Sequence, residues 1–356
     1  MSHLLMFDAA RLVIARGIES HAFPAAVVEV GDDTTVLWRE AFGHLTYDRE
    51  AQPTQQDTIF DVASLTKVLA TTPIVMQQVE RGILSLEDKV ADRLPGWKGA
   101  DREQVTIRDL LAHSSGLTAY LPLYKDHQGR QGFEHAICAL PLEYAPRTAA
   151  IYSDLGFILL GFIVENAGSV SLGTRFDALR SQIGTAERLQ YEPPRQWRKE
   201  IAPTEEDPWR GCLLVGEVHD ENAWALGGVS AHAGLFGTAA AVGDCARHLL
   251  QILSGRTGAF SQATLRTFVT RWAEVPGSSR ALGWDTMLPT SSCGTLMSPR
   301  AFGHRGFTGT SLWIDPDRGV YVVVLTNRVH PTRTNEAIRG ILPVFHDAVM
   351  TAVLTR

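Results

Sequence analysis

Two residues one helical turn apart, Ser64 and Lys67, carry the first chemical signal in this 356-residue chain. They lie in Phe60-Asp-Val-Ala-Ser64-Leu-Thr-Lys67, where a strand-like end meets a helical pattern with apolar positions at Leu65, Val68, Leu69, Val75, Met76 and Val79. A serine that opens a helix has its hydroxyl among free backbone N–H groups, in the positive end of the helix dipole. A lysine at i+3 shares that side and can reach the hydroxyl. Partly buried, it can shed its proton and act as a base. The spacing alone is common, since serine is an ordinary N-cap and a rim lysine ordinarily extends to water. Two later stretches add weight: Tyr152-Ser-Asp154, and His304-Arg-Gly306 followed by Phe-Thr-Gly-Thr310.

In this order, the three stretches resemble the penicillin-recognising serine hydrolases, and within them the branch of class C β-lactamases, D-alanyl-D-alanine carboxypeptidases and related esterases. The resemblance runs from about Ala25 to Asn327. It takes in Leu110-Leu-Ala-His-Ser-Ser-Gly116 and the glycine-rich Leu226 to Phe236. It implies that Ser64 is the acylated nucleophile, that Lys67 holds its hydroxyl and shares the proton, and that Tyr152 is the partner base and acid. His304 stands at the first place of the family's Lys-Thr-Gly element. The backbone N–H groups of Ser64 and Phe307 would form the oxyanion hole, and Asp154, Arg305 and Gly306 would border the substrate. No metal or cofactor is implied.

The chemistry is demanding. Free Lys and Tyr titrate near 10, so a base working near pH 7 needs a shift of roughly 3 units, about 4 kcal/mol. Lys67 and a protonated His304 beside Tyr152 would favour its phenolate, while burial and these neighbours would disfavour charge on Lys67. Which residue carries the proton stays open. Two departures narrow the substrate. Asp154 replaces an Asn whose amide donates to β-lactams, so efficient β-lactam hydrolysis is not expected. His304 and Arg305 replace Lys and Thr. Strand alternation lets only one of the two face the crevice, and the resemblance makes that one His304, which would admit neutral esters beside anionic ones; an Arg305 that reached the crevice would favour a terminal carboxylate. The expected activity is that of a serine acyl hydrolase on esters or amides of small or D-amino-acid-containing substrates. A D-alanyl carboxypeptidase and a weak β-lactamase are narrower forms of it. The alternative of another class is a catalytically idle binding or assembly module, which would have no physical need for Ser64, Lys67 and Tyr152 together. There is no Gly-x-Gly and no Gly-x-Ser-x-Gly, which argues against dinucleotide enzymes and α/β-hydrolases.

The elements that must hold these residues form an α+β pattern. Residues 3–19 read as an amphipathic helix and not a secretory signal. Ala25 to Val30 and Thr34 to Phe42 read as a hairpin. Pro73 should kink the serine helix. Ser85 to Asp88 and Thr106 to Asp109 carry capping-box signatures for short helices, the second running towards Gly116. Asp154 is placed as the N-cap of a helix from Leu155 to Asn166. Residues 187–211 read as a long irregular loop, and a helix follows from Gly237 to about Leu253. Ala281 to Met287, Gly306 to Ile314 and Val320 to Asn327 read as strands, and Thr332 to Leu354 as a closing helix. One antiparallel sheet is therefore expected from 1–60 with 275–356, flanked by the terminal helices, in a β-lactamase-like fold. A mostly helical lobe, 61–274, is inserted, and the active site sits in the crevice between them.

Composition agrees with a soluble enzyme. Hydrophobic residues make up 45% and the net charge is −6, with no basic run, which disfavours nucleic acid. No stretch reaches the roughly 18 apolar residues of a membrane span. Cys138, Cys212, Cys245 and Cys293 are scattered and read as buried thiols of a cytoplasmic protein. His113, His219 and His232 lack metal-ligand spacing and read as hydrogen-bonded structural residues. The sequence leaves the oligomeric state open.

Overall fold

The computed structural model describes residues 6–185 and 188–355. Its centre is a six-stranded sheet. Both ends of the chain build it: β1 (Ala25–Asp32) and β2 (Val36–Gly43) from the first, and β3 (Asp285–Thr286), β4 (Phe302–Gly306), β5 (Thr310–Asp315) and β6 (Val320–Thr326) from the last. The spatial order is β2-β1-β6-β5-β4-β3, with every neighbouring pair antiparallel.

Alternate residues of the central strands face different cores. Ala25, Val27, Val323 and Leu325 point into the core shared with the helical middle of the chain. Ala26, Val28, Val322 and Val324 point the other way, onto Phe7 and Ile14 at α1 (Asp8–Glu19) and Leu342 and Phe345 of the C-terminal helix Ile338–Leu354. A strand covered on both faces needs apolar side chains on both, hence the nearly unbroken apolar runs of β1 and β6.

The serine segment is not one regular helix. A 3₁₀ turn, Ala63–Leu65, leads into a π turn, Lys67–Thr71, and only then α2, Thr72–Glu80. Pro73 lies in the first turn of α2, where its missing N–H is tolerated, and not inside a continuous helix, because a π turn comes before it. Thr106 and Asp109 make the full capping box on Ile107–Leu111, which stops short of Gly116. Ser85 and Asp88 make local bonds of the same kind without a helix; Val90–Arg93 is the short helix that follows. Residues 188–211 include strand Leu189–Tyr191 and a 3₁₀ run, Arg195–Glu200.

The strand expected over Gly306 to Ile314 is instead a hairpin. β4 ends at Gly306 and β5 begins at Thr310, with Gly309 at φ +101 in the turn between them. The run at Ala281 to Met287 shortens to β3, and the closing helix begins at Ile338, not Thr332. The hairpin and the helix Ala239–Leu253, capped by Thr238, otherwise lie where expected. All four cysteines are free; Cys212 is exposed, against expectation, and the other three are buried. No described helix is long and apolar enough to cross a membrane. Residues 3–5 of the expected N-terminal helix lie outside the described residues.

Candidate active site

Ser64 sits in a turn that the sheet holds rigidly. Ala63 before it takes φ +48, a left-handed conformation that a residue with a Cβ adopts only under constraint. The constraint is visible. Asp61 Oδ1 accepts the Ala63 N–H at 2.8 Å. Thr308 Oγ1 donates to the Asp61 carbonyl at 2.7 Å, and Thr310 Oγ1 to the Val62 carbonyl at 2.9 Å. The β4–β5 hairpin is thus fastened to the serine turn. Gly306 makes this approach possible: a Cβ there would collide with Thr310 Oγ1 and stand 2.5 Å from the Val62 carbonyl oxygen.

Lys67 is fully buried, and its Nζ has three acceptors. They are Ser64 Oγ at 3.1 Å, Asp154 Oδ1 at 2.7 Å and the His232 carbonyl at 2.9 Å. An ammonium has three donors, so all are used. Burial alone would push the proton off, but Asp154 and then Tyr152 outweigh it, and the Lys67 proton is held more tightly than in free lysine. The His232 carbonyl belongs to the glycine-rich segment, which also takes the Thr71 hydroxyl on the Ala231 carbonyl at 2.7 Å.

Asp154 is the first residue of α3 (Asp154–Asn166) and not its N-cap. Ser153 fills that place, its Oγ accepting the Gly156 N–H. This frees the Asp154 carboxylate for Lys67. It is the correction with the most chemical consequence, because it moves an acid from helix capping into the Ser64–Lys67 site.

Tyr152 precedes Ser153, the N-cap of α3. Its ring packs on His113 at 4.7 Å between centroids and on His304 at 5.7 Å. Two cations lie over it: Lys67 Nζ at 4.9 Å and the Arg280 guanidinium at 5.3 Å. Burial pushes its phenol above the usual range, and Lys67 opposes this. The hydroxyl feels both Lys67 and Ser64 but makes no well-formed hydrogen bond to either.

His304 is buried on β4. Its Nδ1 stands 2.8 Å from the Arg305 carbonyl, so Nδ1 carries the hydrogen and the unpartnered Nε2 is a bare acceptor. Burial, then Lys67 and Arg280, hold its pKa well below that of free histidine. The ring is neutral near pH 7. The second cation beside Tyr152 is Arg280, not His304 as the sequence suggested. No motif marks Arg280, which stands in Gly277-Ser-Ser-Arg280 just before β3, so sequence reading missed it.

Around Ser64 lies a cavity of about 570 Å³, within the usual range for small-molecule sites, with Lys67 buried behind its wall. Ser64, Tyr152, Asp154, His304, Gly306 and Phe307 all line it. Arg305 is exposed but also lines it, with Arg280, so it does not turn away as strand alternation led us to expect. A cavity of similar size beside Phe162 and Asp177 is lined by neither Ser64 nor Tyr152. His113, His219 and His232 are hydrogen-bonded, to the Ser153 N–H, to Glu205, and to Ser230 and Asp220. His113 also buttresses Tyr152. Among the described residues no cluster of His, Cys, Asp or Glu could hold a metal ion.

The architecture is shared with solved structures at low identity. The penicillin-binding protein homologue from Caulobacter crescentus superposes with a TM-score of 0.75 at 20% identity, covering 97% of this chain and 98% of that one. EstCE1, a hydrolase with promiscuous acyltransferase activity, gives 0.74 at 21%, covering 96% and 99%. The sequence model of the beta-lactamase family matches residues 10–343, and the chain belongs to that family. It is similar to a putative D-alanyl-D-alanine carboxypeptidase of Escherichia coli (strain K12), 32% identical over 353 residues, or 86% of this chain and 79% of that protein. A like-named protein of Salmonella gallinarum is 30% identical, over 90% and 84%. The protein is accordingly a hydrolase of the beta-lactamase and carboxypeptidase type, with the β-lactamase-like fold.

Proposed function

We propose that this hydrolase works through an acyl-enzyme on Ser64, with Lys67 and Tyr152 handling the proton as one unit. The observation that carries this is the buried Lys67 ammonium, bonded at once to Ser64 Oγ and Asp154 on the wall of the cleft. Ser64 Oγ attacks the substrate carbonyl and its proton passes to the unit once that has lost one. The oxygen turns anionic between the N–H groups of Ser64 and Phe307; among the described residues the Phe307 N–H has no other acceptor. Tyr152 then protonates the departing group, and water releases the acid by the reverse route.

The substrate reading is a small D-amino-acid-containing ester or amide whose leaving half carries a carboxylate. Arg280 and Arg305 support it: both line the cleft, and neither makes an ion pair or side-chain hydrogen bond among the described residues. The carboxypeptidase names of the relatives point the same way. Asp154 offers no amide donor, which argues against efficient β-lactam turnover.

A fluorophosphonate or a boronic acid should add to Ser64 and be seen by intact mass. Ser64→Ala should abolish both the adduct and turnover while circular dichroism stays unchanged. Turnover by wild type with no adduct would rule the reading out.

A further inference from the structure

The cleft leaves carboxylate oxygens open on one wall and guanidinium groups open on the other. On the helical wall, three carboxylates each commit one oxygen to a nitrogen: Asp154 Oδ1 to Lys67, Asp220 Oδ1 to His232 Nε2 at 2.8 Å, and Glu221 Oε1 to Arg333 at 2.8 Å. Among the described residues the second oxygen of each accepts no hydrogen bond, and all three residues line the cavity. On the sheet side, Arg280 and Arg305 are unpaired in the same sense, with Asp285 near Arg305. His304, only 4% exposed and with Nε2 unpartnered, lines the same space. Polar groups left this way at the bottom of a cleft are costly to cover with anything that does not answer them.

We infer that the preferred substrate is dipolar: a free ammonium on its acyl half meets Asp154 and Asp220, while the carboxylate of its leaving half meets Arg280 and Arg305. The class is that of short peptides or depsipeptides with an unblocked amino-terminal residue. This rests on the reading of Ser64 as nucleophile and adds the amino end to it. Distance fits. Lys67 Nζ lies 3.1 Å from Ser64 Oγ and 2.7 Å from Asp154 Oδ1, so nucleophile and carboxylate are less than about 6 Å apart. An α-ammonium, one carbon from the attacked carbonyl, spans that gap; a remote amine would not need to. An acylated amine would bring a neutral N–H and extra bulk to oxygens that call for charge. An ammonium on the open side of Asp154 would also loosen that carboxylate's hold on Lys67, so the gain should appear in kcat as well as in KM.

The test compares D-alanyl-D-lactate with N-acetyl-D-alanyl-D-lactate on the full chain. The two share a leaving group and differ only at the amine. The expected result is a kcat/KM at least about tenfold higher for the free amine, a preference that collapses towards one in Asp154→Asn and in Asp220→Asn. Asp154→Asn keeps an oxygen for Lys67, so it tests charge and not packing. Asp220 also caps the helix Glu221–Ala225, so thermal melting of Asp220→Asn is measured alongside. Equal kcat/KM values for wild type, or a preference for the acetylated ester, would overturn the inference and leave the Ser64 reading standing. A wild-type preference that survives both substitutions would also overturn it. Turnover of neither ester overturns it too. In that case the fluorophosphonate adduct tells the two failures apart: present, the Ser64 reading survives; absent, both fall.

Discussion

The two sides of the cleft differ in how far their polar groups are already satisfied. On the helical side, Lys67 has all three donors bonded, and the turn carrying Ser64 is tied by Asp61, Thr308 and Thr310. On the strand side, His304 Nε2 and the guanidinium groups of Arg280 and Arg305 have no hydrogen-bond or ion-pair partner among the described residues, though Arg280 lies over the Tyr152 ring. The proton-handling groups of the helical side are assembled before substrate arrives, although its carboxylates keep one oxygen each open; the arginines and His304 of the strand side are completed by substrate. Proton transfer needs fixed donors and acceptors, because a misplaced base costs rate steeply. Recognition needs free valences, because a group already bonded to protein gains nothing from a ligand.

The comparison breaks most visibly at its saturated side. Lys67→Ala and Tyr152→Phe should each lower kcat by about 10²–10⁴-fold. Because they act as a unit, the double variant should be little worse than the worse single one. Steady-state kinetics on one ester substrate measures this; fully additive losses would mean that two independent groups are at work.

Next in size is Gly306→Ala. The added Cβ meets Thr310 Oγ1 and the Val62 carbonyl oxygen, so the hairpin must move away from the serine turn. The Phe307 N–H moves with it. A loss of about 10²-fold in kcat with the fold retained is expected, the size of one lost oxyanion donor. Near-normal kcat would show that the hairpin tolerates displacement and that Phe307 is not part of the hole.

The unsaturated side should answer in KM. Arg305→Ala and Arg280→Ala should each raise KM about tenfold or more for a carboxylate-bearing ester, from loss of a charged hydrogen bond of roughly 1.5–3 kcal/mol. A matched neutral ester should change little. Equal effects on both esters would mean that the arginines shape the cleft without reading charge.

Much of this was legible in the chain, for identifiable reasons. Ser64, Lys67 and Tyr152 belong to short fixed-spacing motifs, and the order of strand-like and helix-like runs was enough for an antiparallel sheet made from both chain ends. Boundaries failed where local signals compete. Residues 307–314 are mostly strand formers, and Gly309 marks the turn among them. Ser153 and Asp154 are both good N-caps, and sequence cannot tell which one the helix uses; Lys67, 87 residues away, engages the carboxylate of Asp154. Arg280 was invisible because its role depends on a ring, Tyr152, brought near by tertiary structure. The charge of His304 was misjudged for a similar reason: burial and two neighbouring cations hold it neutral, and neither shows in a motif.

The smallest expected effect sharpens the role of Asp154. Its carboxylate adds one negative charge to a cluster that also holds Lys67 and Tyr152. For Lys67, burial favours proton loss, but Asp154 and Tyr152 outweigh it, and the ammonium persists above its ordinary range. For Tyr152, burial raises the pKa, Lys67 opposes and Asp154 adds to the rise. Both groups are therefore protonated near neutral pH, and the basic form appears only as pH rises. The acylation rate, read as kcat/KM, should climb with pH on the alkaline side. The neighbouring histidines do not supply this limb: His113 and His304 are held neutral by burial first and by nearby cations. Asp154→Asn removes the anion while keeping an oxygen for Lys67, so both pKa values fall and the limb moves to lower pH. A shift of about one unit is expected, the low end for a charge at contact distance. At a fixed pH below the limb this is a gain of up to about tenfold on a neutral ester, which has no ammonium to place on Asp154. A limb that stays put, or moves up, in the pH–rate profile of Asp154→Asn would show that another group sets the proton on the Lys67–Tyr152 unit.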